Sequence, residues 1–301
     1  MKSSLDHLPE RKRRELSRIV EIVHEEFEDA LKEGTADFKK KGRILKIVLF
    51  GSYSRGDWVE ESHTSKGYRS DYDLLVIVNN RKLTDFALYW YKAADRFLHD
   101  RAIKTPVSLV VHSRREVNTA LKEGNYFFRD IRRDGIVLYE LDDEPLAEPR
   151  PRSPADEYRI AKEHFGNRAP AAANFLRLSN MALETNMLKE TAFLLHQAIE
   201  QAYSTLLLTL TSYSPASHNL NHLRTLAEGR DRRLVAVWPK DRQRHVAWFN
   251  TINEAYVKAR YSKHFTIGEE ALIWLGERTG ELQQLVKTIC EEHLGNLQKT
   301  L

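Results

Sequence analysis

Two short apolar runs near the N-terminus limit the folds open to this chain. The first, Ile44–Phe50, stops at Gly51-Ser52; the second, Tyr72–Val78, begins behind Ser70-Asp71. Runs this short, rich in Val and Ile and bounded by turn residues, read as buried strands rather than helices. A third strand is expected over 107–111, entered through Pro106, and a fourth over 135–139. Apolar residues at helical spacing predict helices over 8–33, 84–101 and 114–122. Residues 53–70 are polar and read as a loop with a broken helix. The cluster Arg11-Lys12-Arg13-Arg14 reads as a solvated helix face, with an electrostatic patch as the alternative.

The pattern changes at 141–155, which carries four prolines among many charges. Few apolar contacts are open to such a stretch, and proline stiffens it. It separates a domain over 1–140 from one over 156–301. Beyond it the spacing predicts helices only: to about 165, then 168–184, 189–211, 220–228, 240–260 and 268–298. The expected fold is therefore an α+β domain, a small mixed sheet with helices, followed by an all-α helical bundle. With 42% hydrophobic residues in 301, both halves can bury a core. A net charge of +4 is too small to argue for nucleic acid. The single cysteine, Cys290, excludes a disulfide framework and a thiolate metal cluster, and reads as a small half-buried helix residue. The strongest apolar run, 206–210, is far short of the roughly 20 residues a spanning helix needs. The first residues lack an apolar signal core. Both features predict a cytoplasmic protein without a membrane segment.

The chemistry concentrates between 49 and 78. Strand side chains alternate faces, so Asp71 and Asp73 point the same way, with Cα atoms roughly 6.6 Å apart. Two bare carboxylates at that distance repel, and a divalent cation removes the problem. Magnesium commonly takes one or two carboxylates plus substrate phosphates. Gly51 lets the backbone turn and approach a ligand closely, and the amides around it, through Tyr53, can face phosphate oxygens. Ser52 adds a hydroxyl, Arg55 a forked cation, and Gly56 a second bend.

These residues resemble the minimal nucleotidyltransferases of the DNA polymerase beta superfamily. Their pattern is Gly-Ser, Arg-Gly, then Ser-Asp-x-Asp-Leu, matched by Gly51, Ser52, Arg55, Gly56, Ser70, Asp71, Asp73 and Leu74. The resemblance covers about 40–140. It implies a nucleoside triphosphate such as ATP bound at Gly51, Ser52, Tyr53, Arg55 and Gly56. Mg2+ or Mn2+ would sit on Asp71 and Asp73, and a nucleoside monophosphate would pass to a hydroxyl. Family members usually carry a third acid on the next strand, where this chain has Ser108. Asp57, Glu60 or Glu61 could stand in from the loop.

In the second half, His196 and Glu200 are four apart on a long helix and share a face. Tyr256 and Arg260 are likewise four apart, and Arg260 and His264 share a face if their helix continues through Ser262-Lys263. The stretches Leu195-His-Gln-Ala-Ile-Glu200 and Ala255-Tyr-Val-Lys-Ala-Arg-Tyr261 resemble HEPN domains, a helical nucleotide-binding family, over about 155–295. Nucleotidyltransferase and HEPN modules recur together, fused or as toxin–antitoxin pairs. Ribonuclease members use Arg, four to six residues, then His, and dimerise. Here three residues separate Arg260 from His264, and one missing residue turns a helix position by about 100°. The resemblance therefore implies a binding module and homodimer interface at Tyr256, Arg260, His264, His196 and Glu200 more than a nuclease.

The expected function is magnesium-dependent nucleotidyl transfer to a hydroxyl on protein, RNA or a small molecule. The alternatives are a HEPN endoribonuclease regulated by the N-terminal domain, and a non-catalytic nucleotide sensor.

Overall fold

The computed structural model describes residues 1–32, 34–60, 70–215 and 217–301. The described chain forms two compact units, one up to Pro151 and one from Arg152 to Leu301. The first contains α1 (Glu10–Lys32), α2 (Asp37–Lys40), β1 (Ile44–Phe50), α3 (Ser52–Arg55), β2 (Tyr72–Val78), α4 (Phe86–Tyr89), α5 (Tyr91–His99), β3 (Val107–Ser113), α6 (Arg114–Lys122), α7 (Tyr126–Asp134) and β4 (Ile136–Glu140). The second contains α8 (Pro154–Glu184), α9 (Leu188–Thr211), α10 (Leu220–Glu228), α11 (Gln243–Tyr261) and α12 (Glu269–Gln298). The small mixed sheet with helices, then helices alone, is the fold class the sequence predicts.

The sheet runs β3-β2-β1-β4, with β1 antiparallel to β2 and β4, and β2 parallel to β3. β1 and β2 are central, so both their faces need cover, which explains their nearly unbroken apolar sequence. Ile47 and Leu49, with Tyr72, Leu74, Val76 and Val78, pack under α1 and α5 on one face. On the other, α6 and α7 lie over the sheet; Phe127 meets Phe50 edge-on at 5.4 Å and Phe128 meets His112 at 5.2 Å.

Several local boundaries differ from the periodicity reading. The helix expected over 84–101 is broken into a 3-10 turn at Arg81–Thr84, α4 and α5. Asn80 and Asp85 each accept a backbone amide and start separate turns. Trp90, between α4 and α5, is fully buried, stacked 4.8 Å from Phe27, with its indole N–H on the Leu83 carbonyl. Conversely, the two helices expected before 184 are one, α8, despite Pro170 in its interior. Packing against α9 and α12 outweighs the bond that proline removes. α7 was not legible as a helix; Asn125 caps it, and at its end a side chain on Gly135 would run into the Ile131 carbonyl and Val48. α9 is central to the helical unit, burying Ala192, Leu195, Ile199, Ala202 and Leu206 against α8, α10, α11 and α12. Cys290 is fully buried rather than half-buried, and burial pushes its thiol up to about 12.

At the start of α6 a capping box joins helix to sheet: the Ser113 hydroxyl and the Glu116 backbone amide, and the Ser113 amide and Glu116 carboxylate, bond reciprocally. His112 first, then the Ser113 amide and hydroxyl, hold Glu116 down to about 2. A carboxylate depressed in the folded state stabilises above its unfolded value of 4.5 and loses that contribution as pH falls towards 2. Ser113→Ala should cost about 1 kcal/mol in urea unfolding at neutral pH. Glu116→Gln should flatten the dependence of stability on pH between 4.5 and 2; an unchanged acid limb would reject this assignment.

Candidate functional site

The turn after β1 is built around one missing side chain. Gly51 has φ +75°, and a Cβ there would collide with the Asp73 carboxylate. Asp73 pairs with Phe50 across the antiparallel ladder, which carries its side chain over the turn. Asp71 lies just ahead of β2, and Tyr72 between them is buried on the opposite face, with its phenol pKa raised mainly by burial. Of the expected phosphate-binding residues Gly51 lies directly against Asp73, and Ser52, Tyr53, Arg55 and Gly56 follow it in the same turn. Ser52 starts the single turn α3, whose carbonyl bonds return to Gly51 and Ser52, and Gly56 closes it at φ +88°. Ser54 also hydroxyl-bonds the Gly51 carbonyl at 2.9 Å. Arg55 is partly exposed, 3.4 Å from Asp57.

Four residues fix this turn from behind. Tyr53 is fully buried, its ring stacked on Trp58 at 5.4 Å and tilted against Tyr72 at 4.4 Å. His7 reaches the Tyr53 carbonyl at 2.8 Å. The Lys12 ammonium donates to the Tyr53 hydroxyl at 3.1 Å, to Thr105 at 2.7 Å, and to Glu60. Lys12 corrects the sequence reading of Arg11–Arg14 as a solvated face: its side chain is 2% exposed. Its spacing, four residues from Leu8 and Leu16 and seven from Ile19, does place it on the inner face, and reading the four cations as one cluster passed over that.

The position expected to carry a third acid is occupied as the sequence indicates. Ser108 is buried on β3, the parallel-strand partner of Asp73. Of the loop carboxylates that could replace an acid there, Glu60 is engaged by Lys12 and Asp57 faces Arg55, while Glu61 lies outside the described residues. Among the described residues no three His, Cys, Asp or Glu side chains gather as a metal-holding group. Two carboxylates, one just ahead of β2 and one on it, suit a magnesium ion that draws its other oxygens from substrate and water. Val59 and Ser70 are joined by two bonds: the Ser70 amide donates to the Val59 carbonyl at 2.9 Å, and the Val59 amide to the Ser70 hydroxyl at 3.0 Å.

In the helical unit His196, Glu200, Tyr256 and Arg260 do converge. The condition on which His264 was expected to share a face with Arg260 is not met: α11 ends at Tyr261, with Ser262 extended, so the two no longer lie on one helix. His196 is fully buried, and desolvation lowers it to about 4; its Nε2 contacts the His218 carbonyl at 2.9 Å. Glu200 lies 3.8 Å from His196 but bonds His218 Nδ1 at 2.9 Å. His218 is about half exposed and stacks flat on Tyr256 at 3.6 Å. The Arg260 guanidinium lies 4.4 Å from the same ring and 5.0 Å from Phe193. His218 was missed as a site residue because its partners come from α9 and α11, and periodicity within one helix cannot show that pairing.

Removing the ammonium of Lys12 should therefore loosen the turn. Lys12→Met should lower unfolding free energy by about 3 kcal/mol, the low end for a broken buried ion pair because Glu60 is partly hydrated. Urea denaturation measures it, and a loss under about 0.5 kcal/mol would make the buried ammonium incidental.

Residues 31–136 match the family model of the nucleotidyltransferase domain, and residues 170–289 that of the HEPN domain. Over 52 residues the chain is 48% identical to a protein of Methanocaldococcus jannaschii named "Putative protein adenylyltransferase". That match covers 17% of this chain and 39% of the relative. With a Gly-Ser turn beside an Asp-x-Asp strand in one unit and a helical bundle in the other, the chain joins a nucleotidyltransferase domain to a HEPN domain.

Proposed function

We propose that the chain transfers an adenylyl group from ATP to a protein hydroxyl, with Asp71 and Asp73 holding magnesium. The observation that carries this reading is the Asp73 carboxylate lying over Gly51, which puts an anionic metal platform against a turn able to face phosphates. Nucleotidyl transfer itself follows from the domain; adenylyl and protein come from the similarity to the archaeal protein's name. The Gly51–Tyr53 backbone and the Ser52 hydroxyl bind the triphosphate, and Arg55 adds charge at its outer end. Magnesium, when bound, neutralises phosphate charge and polarises the attacked phosphorus. The acceptor oxygen attacks the α-phosphorus, the bond to the bridging oxygen breaks, and pyrophosphate leaves. Ser108 cannot take up the acceptor's proton as a carboxylate would. A tyrosine phenol, which ionises near pH 10, is a better acceptor here than an aliphatic alcohol.

Pyrophosphate release from ATP with magnesium, with radiolabel from the α-phosphate entering protein, tests the reading. Asp71→Asn/Asp73→Asn should reduce release at least 100-fold while leaving the fold intact. Release from wild type without protein label would redirect the acceptor to RNA or small molecules. No release, with nucleotide still bound, would leave the nucleotide-sensor alternative.

A second reading rests on the His218–Glu200 pair. A half-exposed imidazole oriented by a carboxylate, with Arg260 on the same tyrosine ring, is suited to proton transfer at a phosphodiester. On this reading His218→Ala abolishes RNA cleavage and His264→Ala does not. The reverse result would restore the Arg260–His264 pairing.

A further inference from the structure

A cavity of about 520 Å³ lies in the first unit between α1, α2 and the start of β1. That volume is within the roughly 300–1,000 Å³ of small-molecule sites. Ile44, the first residue of β1, lines it, whereas Gly51 follows the last residue of the same strand. Seven strand residues separate the two places by about 20 Å, so a ligand in the cavity leaves the Gly-Ser turn open.

The lining is unequal in charge. Lys32, Lys39, Lys40 and Arg43 face one carboxylate, Glu28. Lys32 is paired with Asp29 at 3.1 Å, but among the described residues no carboxylate is within ion-pair distance of Lys39 or Lys40. The ammonium of Lys39 lies 5.6 Å from the Tyr89 ring instead. The opposite wall is aromatic: His24 meets Tyr139 edge-on at 4.3 Å. The Nε2 atom of His24 is buried and has no hydrogen-bond partner among the described residues. A buried ring nitrogen without a partner is costly, and a side-chain shift that opens it to the cavity would let a ligand oxygen or hydroxyl pair with it.

We propose that this cavity binds a phosphate-bearing anion of nucleotide size, at a site separate from the candidate transfer site. The cations of α2 and the segment behind it take the phosphate charge, and the His24–Tyr139 wall takes the ring or sugar. Phosphate rather than a simple carboxylate fits because four cationic residues line the cavity against one carboxylate, and among the described residues the guanidinium of Arg43 donates only to the neighbouring Lys40 and Gly42 carbonyls. The proposal goes beyond the transfer reading and needs neither metal nor turnover.

Isothermal titration of the full chain in EDTA, with pyrophosphate and separately with AMP, tests it. Wild type and Asp71→Asn/Asp73→Asn should bind at least one probe with equal affinity. Lys39→Gln/Lys40→Gln/Arg43→Gln should weaken binding at least tenfold, and added salt should weaken wild-type binding. Binding of both probes alike assigns the site to phosphate alone, and tighter AMP binding assigns the wall a nucleoside. His24→Phe keeps the aromatic packing while removing the ring nitrogens, and should also weaken binding; it decides the matter if the triple variant loses its fold. No heat with either probe overturns the proposal, as does binding lost in the carboxylate variant or unchanged when the cavity residues are replaced.

Discussion

The arrangement at the head of the sheet depends on the space left by the absent side chain at Gly51. Asp73 occupies that space, and it can do so because the β1–β2 register sets it beside Phe50. A one-residue slip of β2 would send Asp73 into the apolar layer under α1 and bring Tyr72 to the open face. The tight apolar packing of Leu74, Val76 and Val78 is what forbids the slip. Core packing and site geometry are thus one constraint, carried by side chains that alternate along a single strand.

A turn with positive φ at both ends needs support, since it makes few bonds of its own. That support comes from elsewhere in the sequence: His7 on its backbone, Lys12 on Tyr53, and Trp58 on the ring. Lys12 also holds Thr105, immediately before the segment that leads into β3. One ammonium therefore links the turn to the strand bearing Ser108, so the two edges of the candidate site share an anchor. The helical unit uses the same economy, with Tyr256 as a platform for both His218 and Arg260.

How legible this was depends on the range of each interaction. The strands, the Gly-Ser turn and the Asp-x-Asp pair are local patterns and could be read directly, whereas Ser108 was reached through the family resemblance and its pairing with Asp73 through the sheet. The partners of Lys12, His7 and His218 could not, because each lies far away in sequence. The same limit explains the boundaries. The break at Trp90 comes from a pocket formed with Phe27, and the continuity of α8 through Pro170 comes from its neighbours. Helix α11 stopping at Tyr261 separated Arg260 from His264, and nothing in the Tyr-Ser-Lys sequence itself announces that stop.

The mutual bonds of Val59 and Ser70 have an evolutionary consequence. They staple the two ends of the connection between turn and carboxylate strand, so the chain between them begins and ends at fixed points. Lengthening a closed loop is inexpensive, roughly 0.6 kcal/mol for each doubling. Residues inserted or exchanged there need not move Gly51, Asp71 or Asp73. A lineage built on this frame can lengthen or rewrite the sequence between the two anchors while Gly51, Asp71 and Asp73 stay where they were.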